Sequence, residues 1–189
     1  MKIWNEIWDY VKMIIIVVVV VLVINNVVLI NAKIPSPSME KTIMTGDRIF
    51  GFRLAYGINL DLFGHEISKK VKDPERFDIV IFKYPDDESQ LFIKRVIGLP
   101  GETVCIQDGK IYIDGEILEE NYGYYLEGKV MEGYDFSEPV EVGEDEYFVL
   151  GDNRNDSLDS RKIGCIPKTD IIGSAVFRIY PFQNIGTLE

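Results

Sequence analysis

The 189 residues leave room for one ordinary domain with a short appendage and exclude a multidomain machine. Hydrophobic residues make up 47% and charged residues 27%, a balance that builds a globular core and excludes a disordered polymer. A formal net charge of -11 repels phosphate backbones and argues against nucleic acid as a partner, while two cysteines and one histidine are too few for a four-ligand structural zinc site.

The first element in chain order is Met13 to Ile30, MIIIVVVVVLVINNVVLI, apolar except for Asn25 and Asn26. Its length suits a helix crossing a bilayer core. A cleaved export signal is the rival, but the run exceeds an ordinary apolar signal core and Ile30-Asn31-Ala32 offers no small-x-small cleavage site. The expectation is a short internal tail and a retained transmembrane helix within 1–33, with residues 34–189 folded outside the cell membrane.

Next comes Ile34-Pro35-Ser36-Pro37-Ser38-Met39-Glu40-Lys41-Thr42-Ile43. Pro37 holds Ser36 extended, so the i, i+2 spacing sends the hydroxyls of Ser36 and Ser38 to one side of the chain. One can attack while the other donates a hydrogen bond; the plain alternative is a Ser/Pro linker.

Beyond residue 40 the pattern is β. Short branched and aromatic runs occur at Arg48–Phe52, Phe77–Tyr84, Leu91–Ile97, Thr103–Ile106, Lys110–Ile113, Glu146–Leu150 and Ala175–Tyr180. Turn formers such as Gln107-Asp108-Gly109 and Asp114-Gly115 separate them, as hairpins require. The predicted class is mostly β: an antiparallel β-sheet or barrel catalytic domain behind one N-terminal transmembrane helix. Two stretches break the pattern. Leu54 to Lys72 reads either as a loop touching lipid or as a long connection, and Glu116 to Glu144, acidic and rich in Gly and Tyr, reads as an insertion away from the sheet core.

A serine nucleophile needs a base, and His65 stands in a loop without a carboxylate partner motif. Lysine is the remaining candidate. Alternation along Leu91–Ile97 puts Phe92, Lys94 and Val96 on one face and Leu91, Ile93, Arg95 and Ile97 on the other, so Lys94 has apolar neighbours. Burial lowers a lysine pKa, and neutrality near physiological pH requires on the order of 4 kcal/mol. The competing reading is a strand lysine with its ammonium in water.

The run Gly151-Asp152-Asn153-Arg154-Asn155-Asp156-Ser157-Leu158-Asp159-Ser160-Arg161 then crowds hydroxyls, carboxylates and arginines into one loop. Ser157 could orient the base, and an Asp159–Arg161 ion pair could brace the loop. A calcium loop is a poor match, because the glycine and terminal glutamate of an EF-hand are missing at their offsets. Cys105 and Cys165 have apolar neighbours and either pair with each other or stand as buried thiols.

Taken together these blocks resemble the bacterial type I signal peptidases of the Ser-Lys kind, peptidase family S26. The resemblance is carried by Pro35-Ser36-Pro37-Ser38-Met39 with Thr42, by Gly46-Asp47, by Lys94-Arg95-Val96-Ile97-Gly98-Leu99-Pro100-Gly101, and by Gly151-Asp152-Asn153-Arg154 to Asp159-Ser160-Arg161. It implies Ser38 as nucleophile, Lys94 as general base, and an oxyanion hole from the Ser38 N–H and the Ser36 hydroxyl. It further implies a Ser157 hydrogen bond to Lys94, support from Arg95, Asp152, Asp159 and Arg161, and Met39 in a substrate pocket. The implied partners are signal peptides of exported preproteins, the lipid bilayer and the secretion translocon, with no cofactor or metal. One departure is Lys41, where the family usually has proline.

Two rivals come from other classes. Ser38-Met39-Glu40-Lys41 also fits the S-x-x-K motif of penicillin-recognising enzymes, but no Ser-Asp-Asn follows and the β-rich chain lacks their helical domain. The other is an anchored β domain that binds an envelope partner through an inert Ser/Lys pair.

Overall fold

A computed structural model describes residues 2–62, 65–123, 125 and 136–188. Helix α1 (Lys2–Val23) and the one-turn α2 (Ser160–Ile163) flank a series of short strands. In chain order these are β1 (Leu29–Lys33), β2 (Arg48–Phe52), β3 (Gly57–Leu62), β4 (His65–Lys70), β5 (Ile79–Tyr84), β6 (Asp87–Gly98) and β7 (Thr103–Gln107). There follow β8 (Lys110–Ile113), β9 (Glu116–Ile117), β10 (Phe136–Glu141), β11 (Glu146–Leu150), β12 (Ile166–Pro167), β13 (Ile171–Tyr180) and β14 (Gly186–Thr187).

The larger sheet runs β1-β2-β13-β5-β6-β11-β12, with β14 on β13; the smaller runs β10-β7-β8-β9, and β3-β4 forms a separate hairpin. The antiparallel sheets expected from the short branched runs are present, joined by turns at Asp108-Gly109 and Asp114-Gly115 whose residues all take positive φ. Apolar side chains cover the large sheet in three clusters, around Ile97 and Phe148, around Val80 and Tyr147, and around Ile49 and Ile81. Covering both faces buries β6 continuously from Lys94 to Gly98, so alternation there separates two dry faces instead of a dry and a wet one.

Register sets the stage for the site. Strand β5 pairs Val80 with Lys94 and Ile79 with Arg95, and β11 pairs Leu150 with Arg95. The chain leaves the β11 ladder at Gly151, level with Lys94. On the other side the turn after β1 is held by Met39 and Ile43, 2% and 0% exposed, in the Ile49 and Ile81 cluster. Each such side chain contributes about 1.5–3 kcal/mol of burial.

Three expectations change. The helix expected over Met13–Ile30 is split: α1 ends at Val23, a π-helical turn spans Ile24–Val28, and Leu29–Lys33 is a strand paired with β2. Leu29 and Ile30 are half-buried and buried in that pairing, and strand hydrogen bonds replace helical ones. Among the described residues no helix is long and apolar enough to cross a membrane, since Glu6, Asp9 and Lys12 occupy the first half of α1. Leu54–Lys72 is neither loop nor plain connection but a 3-10 turn and the β3-β4 hairpin, with Phe63 and Gly64 outside the described residues. Glu116–Glu144 does not stand away from the core. Its described parts include β10, which pairs with β7, Val142, which is buried, and a stretch around Glu120 that reaches the site; 124 and 126–135 lie outside the described residues.

Candidate active site

Ser38 sits in a tight turn closed by Glu40 N–H to the Pro37 carbonyl (2.9 Å) and Ile43 N–H to the Met39 carbonyl (2.7 Å). Lys41 in that turn adopts φ 84°, a left-handed conformation that proline cannot take, which accounts locally for its presence there. Its ammonium donates to the Asn121 carbonyl at 3.1 Å, so the lysine of the S-x-x-K reading is engaged away from the serine.

Lys94 is the lysine that meets Ser38. Its Nζ lies 2.8 Å from Ser38 Oγ and donates to the Ile93 carbonyl at 3.0 Å, while 5.4 Å separates it from the centre of the Phe92 ring. Only 3% of the residue is exposed. Burial pulls its pKa down to about 8, against the opposing pull of Asp159 and Asp152 and with a small contribution from Arg161. The side chain therefore changes charge near physiological pH, as an acid–base group must. Ser36 Oγ is 3.4 Å from Ser38 Oγ, on the shared side expected from the i, i+2 spacing.

The loop after β11 grips the serine turn directly. Asn153 N–H donates to the Ser38 carbonyl (3.1 Å), and its side-chain amide donates to the Pro37 carbonyl (3.2 Å). Gly151 permits this approach: a Cβ there would fall 2.5 Å from the Ser38 carbonyl oxygen and closer still to Ser157 Oγ. Arg95 forks onto Asp152, Nε to Oδ1 at 2.9 Å and Nη2 to Oδ2 at 2.8 Å, both side chains being buried. Asp152 also accepts from Thr42 Oγ1 (2.5 Å), which ties the pair to the serine turn. Asp159 and Arg161 form a second fully buried fork, and Asp159 Oδ2 accepts the Gly151 N–H at 3.0 Å.

Ser157 departs from expectation. Its buried Oγ has no hydrogen-bond partner among the described residues, so the bond to Lys94 is not formed; it lies instead across Gly151 from the Ser38 backbone. Met39 is packed into the core with one side on a groove. That groove, about 520 Å³, lies between the Ala32–Met39 segment and Gln90–Lys94, and Ser38 and Lys94 both line it. Its walls are mostly apolar, including Ile81, Phe92 and Leu158.

A serine hydroxyl, a buried amine in contact with it and an adjoining apolar groove are groups from which a covalent hydrolase site can be built. Comparison with known proteins agrees. The family model described as signal peptidase, peptidase S26, matches residues 7–180. The chain belongs to that family. Membership places it among the serine peptidases. A probable signal peptidase I-2 of Synechocystis sp. is 38% identical over 160 residues, covering 82% of this chain and 65% of that protein. The chain thus spans about two thirds of that relative's length. The signal peptidase I of Bacillus amyloliquefaciens is 34% identical over 182 residues, covering 94% of this chain and 90% of the relative. A solved signal peptidase I from Enterococcus faecalis V583 is 37% identical and covers 56% of this chain and 98% of that one, with a TM-score of 0.46.

Every site residue read from sequence makes a polar or packing contact at the Ser38 turn or the loop that holds it, Ser157 by packing alone among the described residues. Reasoning from sequence missed Asn153 as a clamp on the serine turn and Phe77, Glu120, Tyr122 and Arg178 altogether. Asn153 could have been found, since it lies inside the Gly151-Asp152-Asn153-Arg154 run; the others carry no local signal. Arg178 of β13 reaches the Thr42 carbonyl and pairs with Asp47 (2.8 Å), bracing the turn from behind. Cys105 and Cys165 are free, half-buried thiols, and burial pushes Cys165 up to about 11.

Proposed function

We propose that this chain is a membrane-bound serine endopeptidase that removes N-terminal signal peptides from exported preproteins through a Ser38–Lys94 dyad. The observation that carries the reading is the 2.8 Å contact between Ser38 Oγ and an amine whose pKa burial has lowered to about 8. In its neutral form Lys94 takes the Ser38 proton as Oγ attacks the scissile carbonyl. The oxyanion that forms is met by the Ser38 N–H and the Ser36 hydroxyl. Lys94 then gives the proton to the departing amine, leaving an acyl-enzyme, and a water deprotonated by the same lysine releases the acid and restores the serine.

The groove between Ala32–Met39 and Gln90–Lys94 suits an extended peptide laid beside β6, with small side chains one and three residues before the cut resting near Met39 and Ile81. Asp152 with Arg95 and Asp159 with Arg161 hold the loop and turn in register, and Ser157 lies within the same packed corner. Residues 1–33 serve as tail and anchor and 34–189 as the extracytoplasmic peptidase domain. In support of an anchor, every side chain from Lys12 to Asn25 is exposed, and the run is nearly all Ile, Val and Leu, a surface suited to lipid.

The test is cleavage of a preprotein with an Ala-x-Ala site by the purified chain. Ser38→Ala and Lys94→Ala are each expected to abolish it, and substantial activity in either variant overturns the assignment. Loss of cleavage on Lys41→Ala with retention in Lys94→Ala would move the chemistry to the penicillin-recognising alternative.

A further inference from the structure

Glu120 to Gly123, together with Tyr125, lie between the small sheet and the loop after β11 and are fastened at several points. Arg154, 1% exposed, donates to Glu120 Oε1 (2.6 Å) and to the Tyr125 hydroxyl (2.9 Å), which in turn donates to the Gly109 carbonyl at 2.9 Å. Asn121 offers its carbonyl to Lys41 in the serine turn. Gly123 leaves the room this needs, because a Cβ there would fall 2.5 Å from Glu120 Oε1.

Between these fastenings Tyr122 presents its ring to two residues at once. The Arg95 guanidinium carbon lies 4.1 Å from the ring centre, and the Phe77 ring meets it edge-on at 5.3 Å. Phe77 has φ 77°, a conformation that a bulky residue keeps only where its surroundings hold it. Its carbonyl accepts from Arg95 Nη1 at 3.0 Å. Arg95 is thus held by the Asp152 carboxylate and by the carbonyl of a strained residue, and Tyr122 touches both Arg95 and that residue. From Arg95 the linkage runs through Asp152 to Thr42 Oγ1, and Thr42 N–H closes onto the Met39 carbonyl (3.2 Å) in the turn that carries Ser38. The Tyr122 hydroxyl is buried without a hydrogen-bond partner among the described residues, so the ring and not the oxygen makes these contacts.

We propose that Tyr122 is a positioning residue for the Ser38–Lys94 reaction: its ring clamps Phe77 and Arg95, and through Asp152 and Thr42 fixes the turn that aims Ser38 at Lys94. The inference rests on the peptidase reading above. It follows that the effect falls on the chemical step and not on the groove, which Tyr122 does not line.

The experiment compares the full-length chain with Tyr122→Leu and Tyr122→Phe on a peptide containing an Ala-x-Ala site, with circular dichroism to measure the folded fraction of each. Leu fills the space without a π face, and Phe keeps the ring without the hydroxyl. The expected result is a kcat at least tenfold lower for Tyr122→Leu, KM within twofold of the parent, and recovery to within about threefold in Tyr122→Phe. If Tyr122→Leu does not fold, Glu120→Gln, which loosens the Arg154 fastening, is expected to lower kcat several-fold at unchanged KM. A parent chain that cleaves while Tyr122→Leu keeps its kcat, changes only KM, or is not rescued by phenylalanine overturns the positioning role alone. A parent chain that does not cleave overturns the peptidase reading and this inference with it.

Discussion

Replacing Lys94 by methionine tests how much stability the fold forgoes to keep an amine ready. The folded-state pKa of Lys94 is about 8 and its ordinary value 10.5, so at pH 7 the side chain is mostly protonated in both states and the folded state bears the cost of burying the charge. The difference amounts to about 3 kcal/mol. Methionine removes the charge at similar volume but loses the bonds to Ser38 and the Ile93 carbonyl, about 1 kcal/mol each. At pH 7 the variant is therefore expected to be more stable by about 1–2 kcal/mol, a few degrees in Tm for a chain of this size. Between pH 8 and 10.5 the unfolded lysine still holds a proton that the folded one has released, so parent stability rises with pH. The gap then closes and reverses as the neutral amine keeps its hydrogen bonds. Thermal or urea unfolding of both proteins at pH 7 and 10.5 in one detergent cancels every other titrating group. A variant less stable than the parent at pH 7, or a gap that does not move with pH, refutes the reasoning.

The same residue sets the rate profile: kcat/KM is expected to rise about tenfold per pH unit below 8 and to level off above it, and a midpoint near the ordinary lysine value of 10.5 contradicts the dry pocket. Asp152→Ala strips the buried Arg95 charge of its carboxylate partner, at a cost of about 3–5 kcal/mol in urea unfolding; a loss below about 1 kcal/mol would mean that water reaches the pair. Gly151→Ala should drive Ser157 and the Ser38 carbonyl apart and lower cleavage more than tenfold with the fold retained by circular dichroism, and unchanged activity would show that the loop can give way. Ser157→Ala removes a buried hydroxyl that has no partner among the described residues, so its stability should match or exceed the parent's, while a loss above about 1 kcal/mol would reveal a bond to a group outside them.

What could be read in the sequence was what depends on near neighbours. Strands at Arg48–Phe52, Lys110–Ile113 and Glu146–Leu150 lie where alternation and turn residues set them. The orientation of Lys94 toward an apolar side followed from period-two spacing, and the common side of Ser36 and Ser38 from Pro37. The contact between Ser38 and Lys94 did not follow from pattern; it was implied by the resemblance to peptidase family S26 that the separate blocks carry. What stayed hidden depends on distant partners. Leu29–Lys33 looks like the end of an apolar helix because its strand character comes from β2, some way along the chain. Tyr122 looks like one more residue of an acidic loop because its importance lies in Arg95 and Phe77. The positive φ of Phe77 contradicts every local preference and belongs to the surroundings alone.

The π-helical turn Ile24–Val28 passes into β1 without an intervening residue, and β1 leads within a few residues to Ser38. Residues 34–37 alone separate β1 from Ser38. Under the proposed reading, with residues 1–33 seated in lipid, the Ser38–Lys94 pair is held at a fixed height above the surface, and the joint would act as a depth gauge that selects peptide bonds by their distance from the hydrocarbon edge.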